Sequence, residues 1–387
     1  MKNIKSYLNV DKFTFGVNLS GLIQSEKGLG EAVRSYIYGL RSTGIPYILN
    51  NINDGDSENI DKTFTDFSSD NPYLFNLISI NPHFFIFFAN NANMPYFRGH
   101  YNIGSWVWEL DRFPDEWIKL SEYLDEIWTP SDFSFQAISK AVDIPVIKIP
   151  HCIIPVPEIS AANKLNRSSF NIVNDAFVFL FIFDLQSRIE RKNPLAVIDA
   201  FKKAFSPKDN AMLFIKTSHS ASNKKGFYEL LNVVKGYNIT VMDSVLIKEQ
   251  IHSLISLCDC YVSLHRSEGF GLTIAEAMAL GKPVIATGYS GNMDFMNMEN
   301  SYPVDYNLIK IDRDYGPYQK GNYWAEPDIN HAAELMRKVF ENREEAASVG
   351  ARGKDYIKKY FSPEVVGEMY KARLNSIVDN YEKQLNI

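Results

Sequence analysis

The chain has 387 residues, 45% hydrophobic and 22% charged, a balance that suits two soluble globular domains and excludes a disordered protein. A formal charge of −6, with no long Lys/Arg run, argues against nucleic acid as a partner. Cys152, Cys258 and Cys260 are too few for a disulfide framework and read as buried thiols. Apolar runs such as 176–183 fall short of the ~20 residues a membrane span needs. Residues 1–13 lack the apolar core of a signal peptide, which points to the cytoplasm.

In chain order, residues 13–19 alternate as a strand and run into a glycine-containing loop, 20–30. Ala32, Val33, Tyr36, Ile37 and Leu40 then repeat at helical spacing until Gly44. Gly28, Gly30 and Glu31 set glycines directly before that helix, where a loop also needs them for its own turns. Residues 45–50 read as a second strand, the Asn/Asp/Ser-rich tract 50–70 as a long loop, and 84–88 as a buried strand. Residues 101–110 read as a strand whose carboxyl end gathers Trp106, Trp108 and Glu109. Open α/β sheets bind ligands outside such ends. The tryptophans share one face, either as core or as a sugar-stacking platform. Glu109 is either an acceptor-site base or a partner for a backbone turn. A strand at 123–130, a helix at 133–141 and a strand at 146–149 follow. Prolines in 150–157 stiffen a connection, and the polar tract 160–169 sets a domain boundary near 155–170.

The second half restarts the alternation: strand 177–183, helix 194–205, strand 211–216, helix 226–236, strand 239–242, helix 248–257. Repeated βα units imply a parallel sheet with helices on both faces. The densest signal is SLHRSEGFGLTIAEAMALGKPVIAT, residues 263–287. It reads as a strand end, a glycine loop, a helix closed by Gly281 and Pro283, and a second strand. Gly269 and Gly271 lack a Cβ and let a ligand approach the backbone, while the amides of the helix start point the same way. This is an anion seat. Glu268 stands before the glycines and Glu276 about one turn into the helix. Backbone donors for phosphate between two carboxylates for hydroxyls suit a sugar nucleotide. Beyond it, 288–294 forms a loop able to close over a sugar, and 303–328 reads as an irregular covering loop. Helices are expected at 331–341, 344–360 and 363–381.

The series Glu268, Gly269, Phe270, Gly271, Leu272, Glu276, Ala277, Met278, Ala279, Gly281, Pro283, Val284, Ile285 and Ala286 resembles the C-terminal signature of glycosyltransferase family 4, retaining enzymes of the GT-B fold. The resemblance implies an α/β architecture of two Rossmann-like domains, their parallel sheets facing an interdomain cleft, with a C-terminal helix crossing back to the N-terminal domain. On this reading 1–157 with the returning helix 363–387 form the acceptor domain, and 158–362 the donor domain. It implies that Glu276 binds the ribose hydroxyls and that Glu268 contacts the donor sugar. The amides around Gly269, Phe270, Gly271, Leu272 and Thr273 hold the phosphates, and the loop at Gly30 lines the cleft. Lys192 clamps the diphosphate together with an arginine. The usual arginine place holds Gln186 or Ser187, so Arg188 or Arg191 must substitute, and Arg191, beside Lys192, is preferred. The family's N-terminal histidine has no match: Ala89, Asn90 and Asn91 follow the expected strand 84–88, with His83 before it.

The implied activity is retaining transfer of a hexose from a GDP- or UDP-linked donor to a hydroxyl of a glycan or lipid-linked acceptor, in cell-surface polysaccharide synthesis. It needs no divalent metal and no other cofactor; Glu268, Lys192, Arg191 and Glu109 form the expected catalytic set. With no transmembrane segment expected, contact with the inner membrane face would be peripheral. The rival is a non-catalytic sugar-nucleotide or glycan-binding protein of the same fold. A nicotinamide oxidoreductase would need a G-x-G-x-x-G after a first strand, and neither half has one. Asp54-Gly55-Asp56 and Asp312-Arg313-Asp314 match the Asp-x-Asp form of metal-dependent GT-A transferases. That single-domain fold would leave the second set of βα units unexplained.

Overall fold

The computed structural model describes residues 8–154, 165–173 and 175–385. Residues 155–164, which hold most of the expected domain boundary, lie outside the described residues. The chain divides into two compact units: the first ends at Ile154 and resumes at Tyr360, and the second closes at Lys359.

The first unit is built on β1 (Thr14–Gly21), β2 (Tyr47–Asn51), β3 (Tyr73–Ser79), β4 (Tyr101–Ser105), β5 (Glu126–Thr129) and β6 (Val146–Lys148). All pair in parallel, in the order β2-β1-β3-β4-β5-β6. Its helices include α1 (Gly28–Ser42), α2 (Pro82–Phe97), the short α3 (Asp115–Ile118) and α4 (Asp132–Ser139), the last capped by Ser131. β3 is absent from the sequence reading, because Asn76 interrupts its apolar run. That asparagine is buried in a ladder. Asn18, Asn76 and Asn102 stand in register on β1, β3 and β4. Asn18 Nδ2 donates to Asn76 Oδ1 at 3.0 Å, and Asn76 Nδ2 to Asn102 Oδ1 at 2.9 Å. Such pairing removes the cost of buried amides.

The run 84–88 is not a strand but part of α2; a short apolar run carries no periodicity that separates the two. Ala89, Asn90 and Asn91 therefore lie mid-helix, and His83 stands in the first turn of α2, behind β3. The strand at 101–110 ends at Ser105. Trp106 and Trp108 are 0% and 2% exposed and pack against Phe113, so neither forms an open platform.

The second unit holds β7 (Phe177–Ile182), β8 (Ala211–Thr217), β9 (Ile239–Asp243), β10 (Cys260–Ser263), β11 (Val284–Thr287) and β12 (Tyr302–Val304). They form a parallel sheet in the order β12-β11-β10-β7-β8-β9. Its helices are α5 (Ile189–Lys192), α6 (Pro194–Ala204), α7 (Lys224–Val233), α8 (Lys248–Leu257), α9 (Leu272–Ala279), α10 (Ile329–Glu341) and α11 (Arg343–Phe361). An apolar core of β7, β8 and β10 side chains against α6 and α10 unites them. The tract 303–328 is not irregular: β13 (Tyr306–Lys310) and β14 (Tyr323–Pro327) pair as an antiparallel hairpin. Cys258 and Cys260 are buried, and burial pushes both thiols above their ordinary range.

The last helix, α12 (Pro363–Leu385), packs on α1 of the first unit. Its Val366, Tyr370 and Leu374 join the core with Tyr36, Ile37 and Leu40. The helices cross at Gly39 and Gly367, where a Cβ would strike the Tyr370 ring or the Gly39 carbonyl. Arg373 of α12 reaches the fully buried Glu126 of β5, which also accepts from Trp128 Nε1 at 2.6 Å. Among the described residues, no helix is long and apolar enough to cross a membrane.

Candidate active site

In the second sheet, β7 and β10 are neighbours although β8 and β9 separate them in the chain. The connections leave this pair in opposite directions, so a crevice opens at their carboxyl ends, the place where doubly wound sheets bind ligands. The loop after β7 delivers Arg188, Arg191 and Lys192; the loop after β10 delivers Glu268 and the glycines.

After β7 the chain turns at Asp184, whose Oδ1 accepts from the Gln186 amide at 2.8 Å, and then forms the single turn α5. Asn193, left-handed at φ 53°, ends it, and Pro194 opens α6. This turn aims two consecutive cations one way. Lys192 Nζ lies 2.5 Å from Glu268 Oε1, and Arg191 Nη1 lies 3.1 Å from Glu268 Oε2. Arg191 Nη1 also donates to the Ser267 carbonyl at 2.8 Å. Burial pushes the Glu268 carboxyl up, but Lys192 and then Arg191 outweigh it and hold the group at about 2. Arg188 goes elsewhere: it is exposed, and its guanidinium lies over Gly316.

The glycine loop is fixed from behind. The Glu268 amide donates to Ser290 Oγ at 2.8 Å, and the Gly291 amide to the Glu268 carbonyl at 2.9 Å. A Cβ on Gly291 would collide with the Gly269 carbonyl, so the two loops touch backbone to backbone. Phe270 is buried against Phe295, with ring centroids 5.2 Å apart. Gly271, at φ 94°, caps α9 with no side chain, which leaves the amides of Leu272 and Thr273 at the helix start for a ligand. Glu276, 8% exposed, lies further along α9 and is ion-paired with Lys248, the first residue of α8.

Several members escape sequence reading. Lys248 is an ordinary helix-opening lysine until the fold brings it to Glu276. His265 is fully buried, its Nδ1 3.1 Å from Ser263 Oγ and its Nε2 3.0 Å from Asn292 Oδ1. Burial lowers its basicity, so it braces the loops as a neutral ring. Within the anion-seat motif only its burial betrays this role, and the spacing does not.

Gly30 and Glu109 belong to the first unit. Gly30 lies in the first turn of α1 and not in a loop before it, at a point where a Cβ would strike the Ser25 carbonyl, itself accepting from Arg34 Nη1 at 2.8 Å. Glu109 is half-buried beyond β4. The Asp-x-Asp pairs serve turns: Asp54 Oδ1 accepts from the Asp56 and Ser57 amides, Asp312 accepts from the Tyr315 hydroxyl, and Asp314 accepts from the Lys320 amide. Among the described residues, no group of three or more His, Cys, Asp or Glu stands together as a metal site.

A family model described as "Glycosyl transferases group 1" matches residues 163–356. The capsular polysaccharide biosynthesis glycosyltransferase CapM of Staphylococcus aureus is 24% identical over 221 residues, 57% of this chain and 51% of CapM. The chain thus spans about half the length of that relative. Anabaena Alr3699/HepE, solved with UDP and glucose, superposes with a TM-score of 0.64 at 13% identity, covering 94% of this chain and all of HepE. Sucrose-phosphate synthase from Thermosynechococcus elongatus gives 0.66 at 14% identity, covering 95% of this chain and all of its own. These likenesses show the fold: the GT-B architecture of two parallel-sheet units with a helical C-terminus.

Proposed function

The chain belongs to the glycosyl transferases group 1 family, and from that premise we propose that it moves a hexose from a nucleoside-diphosphate sugar to an acceptor hydroxyl with retention of anomeric configuration. The observation that carries this reading is the contact of Lys192 and Arg191 with Glu268 beside the uncapped start of α9, at the switch point of the second sheet. Two cations and a helix start can neutralise a leaving diphosphate, and Glu268 can orient the sugar. Glu276 takes the ribose hydroxyls. The bond from the anomeric carbon to the diphosphate breaks, the acceptor oxygen bonds to the same face, the acceptor proton passes to a carboxylate base, and the diphosphate leaves as an anion held by Lys192 and Arg191. Glu109 of the first unit is the proposed acceptor-side base, and the start of α1 at Gly30 is proposed to shape that side.

The clamp makes a divalent metal unnecessary on this reading. The UDP and glucose bound to HepE support a UDP-linked hexose, and the name of CapM supports an acceptor in polysaccharide synthesis.

The test has two stages. Thermal shift with UDP and GDP identifies the base, since a ligand at 100 times its Kd stabilises by about 2.7 kcal/mol. Labelled UDP- and GDP-hexoses are then offered with glycan acceptors, before and after exhaustive chelation, and the first product is read by proton NMR. Transfer with retention, unaffected by chelation, is expected. An inverted linkage, or activity restored only by magnesium or manganese, overturns the mechanism; binding without transfer makes the chain a sugar-nucleotide binder.

A further inference from the structure

The β13–β14 hairpin grips the loops that carry the cations of the candidate site. Its Ala325 amide donates to the Arg266 carbonyl at 2.9 Å, and Glu326 pairs with Arg266 at 2.6 Å. Arg266 in turn donates its amide to the Arg191 carbonyl at 2.8 Å and Nη1 to the Glu190 carbonyl at 2.8 Å. The turn between the two strands is itself tied, with reciprocal backbone bonds between Tyr315 and Tyr318. From it the buried Tyr318 places its ring against the Arg191 guanidinium, 5.7 Å from Cζ to the ring centroid.

A guanidinium has two flat faces and an edge of N–H donors. The Tyr318 ring attracts the cation, while Nη1 on the edge is drawn to the Ser267 carbonyl and the Glu268 carboxylate. The long arginine side chain is held in one orientation, so its ordering is complete before a ligand arrives. We propose that Tyr318 is a positioning residue: by backing Arg191 it presets the guanidinium for the donor diphosphate, and the hairpin thereby sets donor affinity. This inference rests on the donor reading above.

UDP and GDP are the probes, with Kd measured by calorimetry. Tyr318→Leu weakens the preferred nucleotide about 5- to 30-fold, the loss of a desolvated cation–π contact. Tyr318→Phe, which retains the ring, binds within about twofold. In an Arg191→Ala background Tyr318→Leu changes Kd by less than about twofold, because the contact through which it acts is gone. A merely structural tyrosine would cost the same in both backgrounds. Equal losses in the two backgrounds, or an unchanged Kd in Tyr318→Leu, overturn the inference while leaving the donor reading standing. Should Tyr318→Leu fail to fold, Arg191→Lys serves: it retains charge without the flat face and is expected to bind at least about fivefold more weakly. A wild-type Kd in Arg191→Lys overturns the inference. Wild-type protein that binds neither nucleotide overturns the donor reading itself.

Discussion

Lys192 and Glu268 stand 76 positions apart in the chain and meet at 2.5 Å, one oxygen of the carboxylate on Lys192 and the other on Arg191. The group expected to touch the sugar and the groups expected to hold the diphosphate are therefore one ion cluster. A donor entering the site must share those cations with Glu268.

Glu268→Gln accordingly binds UDP or GDP more tightly and transfers sugar more slowly. Removing one negative charge beside the incoming phosphates is worth roughly 1–3 kcal/mol at the effective dielectric of such sites. Calorimetry and initial rates on the same preparation check both halves; weaker nucleotide binding by the variant contradicts the shared cluster.

The same carboxylate makes the second unit acid-sensitive. Its pKa is about 2 when folded against an ordinary 4.5, so its contribution is present in full above pH 4.5 and is lost as pH falls from there through 2. The loss is on the order of 3 kcal/mol. Urea unfolding between pH 2 and 6 should show a steep decline in wild type and a flatter one in Glu268→Gln; parallel curves would refute the assignment.

Glu276 carries its own cation, Lys248. Glu276→Ala should weaken nucleoside diphosphate binding by roughly 1–3 kcal/mol, the range for hydrogen bonds to a charged group. Lys248→Met, which leaves the carboxylate 8% exposed without that cation, should weaken it in the same direction. Comparing UDP with inorganic pyrophosphate locates the effect: a ribose role costs affinity for UDP alone.

In the first unit, Arg373→Met strands the fully buried Glu126. A loss of about 3 kcal/mol is expected. Adding Glu126→Gln should return part of it, and denaturant midpoints of the single and double variants decide.

The parallel βα order and the family were legible because strand and helix periods survive in the apolar residues and because the glycine motif is dense. What escaped was polar or local. Asn76 hides β3, since a buried amide satisfied by Asn18 and Asn102 looks like loop chemistry in one dimension. The 84–88 run is too short to reveal its period. Exposed Tyr306, Leu308 and Tyr323 alternate with polar residues too weakly to announce a hairpin, so Tyr318 carried no signal at all. Arg191, Lys192 and Glu268 are each nameable from motif position, but their mutual contact depends on β7 and β10 being neighbours, which only topology supplies.

The return of α12 to the first unit also governs the order in which the protein can be made. Val366, Tyr370 and Leu374, which complete the core around Tyr36, leave the ribosome after the entire second unit. At about 5–20 residues per second the first unit waits roughly 10–40 s, its α1 face uncovered, while the later unit is already able to fold. Chains released after residue 362 and after residue 385 should differ accordingly, with protease sparing the second unit in both and the first only where α12 is present. A first unit that resists digestion earlier would mean that α1 finds another cover during synthesis.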